Sequence, residues 1–468
     1  MAQDFAPVAD RLSADAEANR ERLFELLRIP SVSADPAHRD DCRSAARWVR
    51  DLLQNAGCTA ELVDTGTAER PGHPIVFAKT PPVAGAPTLL VYGHYDVQPP
   101  DPLDLWTTPP FEPAVRPGPG GTEHVYARGA TDDKGQMLTH PLAVAAWHAA
   151  ASGPPVNVTF VIEGEEEVGS DHLDEFLASH KDELACDAAV ISDTSQFAPG
   201  VPAICYGLRG ITACEVTVTG PKADLHSGLF GGAVANPANA LAKIVAGLHD
   251  ADGRVAVPGF YDAVIPPTDE ERAAWADLPF DEAAFLETTG APEPVTPPDA
   301  TVLEGRWGWP TCDVNGLTSG YQGPGPKTII PAKASAKISF RLVPDQDPNA
   351  ILAAVREHVQ SLCPPGVRVE VTPFHGTPGV RFDTDSAPFE AAQRAVEHAF
   401  GTAPVMIREG GTIPVVRALG ETLGCPVLLL GWGQNSDGLH SPDERFSLDA
   451  FQRGALASAR LMWEFSQV

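Results

Sequence analysis

Leu89-Leu90-Val91-Tyr92-Gly93-His94-Tyr95-Asp96 is the stretch from which the fold reads outward. Four mostly apolar residues run into a glycine, with Pro87 before them, the pattern of a short buried strand. His94 and Asp96 sit just past its C-terminal end. In open α/β sheets, ligands bind at those ends. Residues two apart in extended backbone point to the same side, so one imidazole and one carboxylate can face one pocket. A carboxylate behind an imidazole is common at metal sites. Taken alone, the pair also reads as a satisfied surface His and Asp.

Three later strands end in the same way. Tyr126 leads through Ala127-Arg128-Gly129-Ala130-Thr131 into Asp132-Asp133-Lys134-Gly135. A helix over 136–151 follows, and Pro141 should kink it or mark its true start. The apolar run 156–162 passes directly into Glu163-Gly164-Glu165-Glu166-Glu167-Val168-Gly169-Ser170, and the run 188–191 ends in Ser192-Asp193. Helical periodicity over 20–28, 43–56 and 171–180, with strands at 60–63 and 75–78, completes an alternation that implies a parallel α/β sheet.

Near Gly207 the texture changes. Cys214, Val216 and Val218 alternate with polar neighbours, as do Ile338, Phe340 and Leu342, and Val367, Val369 and Val371. Asn236-Pro237 opens one helix, with Asn at the cap and Pro at the first position, and a second spans 351–362. Residues 251–326, rich in Pro, Gly and acid, resist reading. From Ala387 the α/β texture returns, with helices over 389–400 and 448–465, a strand over 427–430, and His440 in the loop between. The expected architecture is α/β: a mixed, mostly parallel sheet flanked by helices, interrupted by a smaller α+β domain. The expected boundaries are 1–207 and 379–468 for the first domain and 208–378 for the insert.

Sixty-two acidic against 33 basic residues give a net charge of −29, which argues against nucleic acid or an anionic membrane surface as partner. No apolar run approaches the roughly 20 residues of a membrane helix. The acidic start, Met1-Ala2-Gln3-Asp4-Phe5, is unlike a secretory signal. Eight scattered cysteines without a Cys-x-x-Cys suggest a reducing cytoplasm and exclude a thiolate zinc knuckle.

The polar residues at the strand ends are His94, Asp96, Asp132, Glu166, Glu167, Asp193 and His440. Two His, several carboxylates and no Cys make an N/O donor set suited to zinc, manganese or cobalt. They suffice for two metals sharing a carboxylate, with one of two adjacent Glu left over as a base.

With these residues assembled, the chain resembles the co-catalytic di-zinc metallopeptidase superfamily of carnosinases, cytosolic non-specific dipeptidases, glutamate carboxypeptidase and succinyl-diaminopimelate desuccinylase. The resemblance spans nearly the whole chain. It rests on GHYDVQP (93–99), ARGATDDKG (127–135), EGEEEVGS (163–170), ISD (191–193), DLHSG (224–228), RLVP (341–344), REGGT (408–412) and LHSPDE (439–444), with the dipeptidase branch most similar.

The resemblance implies that the insert is a ferredoxin-like lid and dimerisation domain. It implies His94 and Asp193 on one metal, Glu167 and His440 on the other, and Asp132 bridging both, with a cis Asp132–Asp133 peptide. Asp96 would hold the His94 imidazole, and Glu166 would be general base and acid toward a metal-bridging hydroxide. His226 would reach across a homodimer to polarise the scissile carbonyl. Arg341, Arg408, Gly410, Gly411 and Thr412 would bind the substrate carboxylate. The role of Glu165 is open. The expected activity is a cytoplasmic, two-metal dipeptidase acting on dipeptides with a free C-terminal carboxylate, zinc first, manganese or cobalt next. The alternatives are an N-acyl-amino-acid deacylase or desuccinylase on the same metals, and a metal-binding protein without catalysis.

Overall fold

The computed structural model describes residues 4–468; Met1 to Gln3, the start of the acidic N-terminal stretch, lie outside them. The chain divides into two compact units. One takes residues up to Tyr206 with Phe382–Ile407 and Pro414–Val468; the other takes Gly207–Arg381 with Arg408–Ile413.

The main sheet of the first unit runs in the order Thr59–Val63, Ile75–Lys79, Asn157–Glu163, Thr88–His94, Ala188–Ile191, Val427–Gly431, Ala203–Leu208. The four central strands, from Asn157–Glu163 to Val427–Gly431, are parallel, and antiparallel pairs flank them. Their residues are almost entirely buried, as the unbroken apolar runs require. Parallel alignment has a direct consequence for the site: strands 88–94, 157–163 and 188–191 deliver their following residues to the same edge. The ladder extends to a His94–Glu163 pair, so His94 is the last residue of its strand rather than the first beyond it.

The helix after Asp132-Asp133 begins at Lys134 and runs to Ala151, so Pro141 does not mark its start. Nearly every residue from Lys134 to Trp147 is buried, and the C-terminal helix Leu448–Phe465 packs on it. A small sheet pairs Arg445–Ser447 with Glu123–Tyr126, and the latter with Ala114–Pro117. This pairing sets the loop before Arg445, which carries His440, beside the turn after Tyr126, which carries Asp132.

The second unit is a four-stranded antiparallel sheet in the order Thr311–Ser319, Lys333–Leu342, Gly210–Thr219, Arg368–Pro373. Burial alternates along Gly210–Thr219, and helices Pro237–Ala246 and Pro348–Ser361 cover the sheet. Cys214, Val216, Val218, Ile244, Ile338, Phe340 and Val355 form its core. Asn236 caps the first helix by accepting from the Ala238 N–H at 2.9 Å, with Pro237 at the first position.

Several elements escaped the sequence reading. Helix Ala6–Ala14, strands Ala203–Leu208 and Val405–Glu409 and helix Pro414–Leu423 are short or lack a clear period. The 251–326 segment holds three short helices, Asp269–Ala276, Glu282–Thr289 and Val302–Trp307, and the strand Thr311–Ser319. Two of the helices start in capping boxes, Thr268 with Glu271 and Thr301 with Glu304. That Thr-x-x-Glu signature is legible in sequence. No helix among the described residues is long and apolar enough to cross a membrane, and all eight cysteines are free thiols.

Candidate metal centre

His94, Asp96, Asp132, Glu166, Glu167, Asp193 and His440 all belong to the first unit and converge at the shared edge of its parallel strands. His94 Nε2 lies 3.4 Å from Asp132 Oδ1, 3.8 Å from Asp193 Oδ2 and 4.0 Å from Glu166 Oε2. His440 Nε2 lies 2.9 Å from Asp132 Oδ2 and 3.5 Å from Glu167 Oε2. Two groups with the spacing of metal ligands result: His94, Asp132 and Asp193, and Asp132, Glu167 and His440. Asp132 is common to both. The peptide between Asp132 and Asp133 is cis.

These residues fit a pair of divalent cations. His94 Nε2 is buried, makes no hydrogen bond among the described residues and faces three carboxylates. Burial pushes the carboxyls of Glu166 and Asp193 above the usual range, and neighbouring carboxylates add to it; Glu167 is pushed up to about 8 for the same reasons. Burial also acts on Asp132, but His440 and His94 outweigh it and hold its carboxyl well below the usual range. Burial would disfavour a charged His94, yet Asp132 and Asp96 raise its pKa well above the ordinary value. A pocket that concentrates this much negative charge away from water is one that cations stabilise.

The supporting contacts refine the expected roles. The His94 Nδ1 lies 3.1 Å from the Asp96 backbone oxygen and 3.4 Å from its Oδ1. The other carboxylate oxygen, Oδ2, accepts from the Glu167 N–H at 3.2 Å, so Asp96 ties the His94 strand end to the Glu166–Val168 turn. Gln98 donates to Glu167 Oε2 at 2.7 Å, a contact the sequence reading missed although Gln98 lies inside the quoted motif. Glu165 turns away from the ligands: it accepts from the His73 N–H at 3.0 Å and pairs with His172 Nδ1 at 2.7 Å. Glu163, pushed up to about 8 mainly by burial, accepts from the Tyr92 hydroxyl at 2.6 Å and the Ser170 hydroxyl at 2.8 Å.

His226, Arg341, Arg408, Gly410, Gly411 and Thr412 belong to the second unit. His226 is exposed on a two-residue strand, Leu225–His226, paired with Ile329–Ile330. Its Nδ1 accepts from the Gly228 N–H at 3.0 Å. That bond leaves Nε2 as the protonated nitrogen of a neutral ring. Arg341 Nη1 donates to Thr412 Oγ1 at 3.1 Å, and the Thr412 hydroxyl donates to the Arg209 carbonyl at 2.5 Å. Arg209 also donates to the Gly410 carbonyl at 3.3 Å, so Arg209, Arg341 and the 410–412 turn form one cluster. A Cβ on Gly410 would meet Arg209 Nη2 at 2.8 Å, while Gly411 faces open space. Arg408 is buried, with its guanidinium paired with Glu271 and 5.4 Å over the Trp275 ring. This side chain is engaged with the 269–276 helix, and that partnership was invisible while the 251–326 segment went unread.

Comparison with known proteins places the chain in a family. The family model described as peptidase family M20/M25/M40 matches residues 90–464. The Cys-Gly metallodipeptidase DUG1 of Saccharomyces cerevisiae is 32% identical over 461 residues, covering 95% of each chain. The Beta-Ala-His dipeptidase of Homo sapiens is 32% identical over 463 residues, 96% of this chain and 90% of that one. The solved structure of human carnosine dipeptidase 1 superposes with a TM-score of 0.84 at 31% identity, covering both chains fully.

Proposed function

This chain belongs to peptidase family M20/M25/M40, in its dipeptidase branch, and from that premise we propose that it hydrolyses the peptide bond of dipeptides carrying a free C-terminal carboxylate. The observation that carries the reading is the joining of two ligand groups through one carboxylate, Asp132. His94, Asp132 and Asp193 would hold one divalent cation, and Asp132, Glu167 and His440 the other. The donor set favours zinc, with manganese or cobalt also suited. Bound there, such a pair supplies an acidified water and a polarised carbonyl.

The chain's own groups do the rest. Glu166 lies beside both ligand groups but belongs to neither. Its carboxylate takes the proton of the attacking water and returns it to the leaving amine. The His226 ring offers its Nε2 proton to the developing oxyanion, acting from the second subunit of a homodimer. Arg341 and Thr412 receive the substrate carboxylate, an anion that the Arg fork suits. Gly410 lets that turn pack closely on Arg209, Gly411 leaves its backbone open to the carboxylate, and Arg408 anchors the turn. The scattered cysteines, none in a Cys-x-x-Cys, fit a cytoplasmic location.

The deciding experiment is a set of initial rates for the zinc- or manganese-loaded protein. Ala-Gly-type, Cys-Gly and β-Ala-His dipeptides would be compared with N-acetyl and N-succinyl amino acids. Fast cleavage of free dipeptides, abolished by chelator, is the expected result. Turnover of the acylated compounds alone would make the chain a deacylase on the same centre.

A further inference from the structure

We propose that Glu444 is the positioning residue that keeps both ligand groups in register, by fastening the turn that carries Asp132 onto the loop that carries His440. Glu444 is fully buried. Its Oε2 accepts from Arg128 Nη1 at 2.7 Å and from the Gly129 N–H at 2.9 Å. Its Oε1 accepts from the Thr131 N–H at 2.9 Å and from the Asp132 N–H at 3.1 Å. A carboxylate has about four acceptor sites, and here all are filled by one turn, so Glu444 is itself no metal ligand. The Glu444 carbonyl adds a fifth tie, accepting from the Ala127 N–H at 3.1 Å.

The two ends of this clasp are the two ligands that meet. Asp132 gives its own N–H to Glu444, and His440 lies four residues before it. The His440 side chain is 57% exposed, so little packing fixes it and its place follows from its backbone. That backbone is held by further contacts: Asp443 accepts from the Thr107 N–H at 3.0 Å and from Arg116 Nη2 at 2.9 Å, and Asp437 accepts from the Gln434 N–H at 2.8 Å. None of these touches Asp132. Glu444 alone among them bonds the bridging residue directly.

The chemistry of the clasp makes it sensitive to a near-isosteric change. All four partners are donors. In Glu444→Gln, either orientation of the amide turns an NH2 group toward two N–H donors. The turn and the loop would separate, and because Asp132 serves both ligand groups, both binding steps would weaken.

This inference rests on the reading of Asp132 and His440 as metal ligands, and calorimetric titration of the metal-free full-length chain with zinc tests the two separately. Wild type should take up two ions; if it takes up none, the ligand reading itself fails. Glu444→Gln should weaken both steps roughly 10- to 100-fold, whereas His440→Ala should weaken one. Folded Glu444→Gln that binds both ions with wild-type affinity, even with a lowered melting temperature, would reduce Glu444 to a structural residue and overturn the proposal. Residue-resolved hydrogen exchange on metal-free wild type needs no variant. The amides of Gly129, Thr131 and Asp132 should be protected before zinc is added; exchange at unstructured rates until zinc arrives would overturn it as well.

Discussion

His440 Nε2 lies 2.9 Å from Asp132 Oδ2 across 308 residues of sequence. The other oxygen of the same carboxylate faces His94. Asp132→Ala should therefore cost the protein both cations, while His440→Ala should leave one. Metal content after dialysis, measured by atomic absorption, checks this. Two ions retained by Asp132→Ala would remove it from the bridging role.

Glu166 sits beside the candidate ligand groups and belongs to neither. Glu166→Ala should keep two metals and lose about 10²- to 10⁴-fold in kcat, the usual worth of a positioned acid–base group. Metal content and steady-state rates on one dipeptide decide it. Strong residual turnover would assign proton transfer to another group.

The tautomer that Gly228 imposes on His226 orients a donor outward from an exposed segment. If that donor acts on the partner subunit's substrate, two inactive homodimers, His226→Ala and His440→Ala, should regain part of the activity when mixed under conditions of subunit exchange. No recovery, with exchange verified by mass, would argue against action in trans.

Arg341 and Thr412 share a hydrogen bond and are read as the carboxylate dock. Arg341→Met should lower kcat/KM for a free dipeptide about 10- to 100-fold, in keeping with about 1.5–3 kcal/mol for a charged hydrogen bond. The C-terminally amidated dipeptide should respond little. Equal losses on both substrates would indicate damage rather than a lost contact.

His140 is fully buried behind the site, its Nε2 2.9 Å from the Ser192 hydroxyl, and burial lowers its pKa from 6.5 to about 3. The folded state thus binds fewer protons than the unfolded state between those values, and stability falls as pH drops below 6.5. By pH 5 the loss from this residue is about 2 kcal/mol. Urea unfolding of metal-free wild type and His140→Gln at pH 7.5 and pH 5 measures it. The variant should lose less stability between the two pH values; equal losses would show that His140 does not govern acid sensitivity.

Much of the candidate centre was legible because each candidate ligand ends a strand or follows a strand or a glycine turn within a few residues. His94, the Glu166-Glu167 pair and Asp193 end apolar runs whose parallel order is implied by the intervening helices, so their convergence follows from chain pattern alone. The amphipathic helices and the alternating strands of the second unit were readable for the same reason: their burial repeats with a fixed period. What the sequence left open depended on partners far along the chain. Glu165 turns to His73, Arg408 to Glu271, and Glu444 to the 129–132 turn. Residues 408–413 cluster with the second unit although the chain around them belongs to the first. A hydrogen bond between residues roughly a hundred to three hundred positions apart has no period and no local composition. Sequence therefore determined which chemistry gathers at the strand ends, and tertiary packing alone decided which buried polar groups hold that chemistry in place.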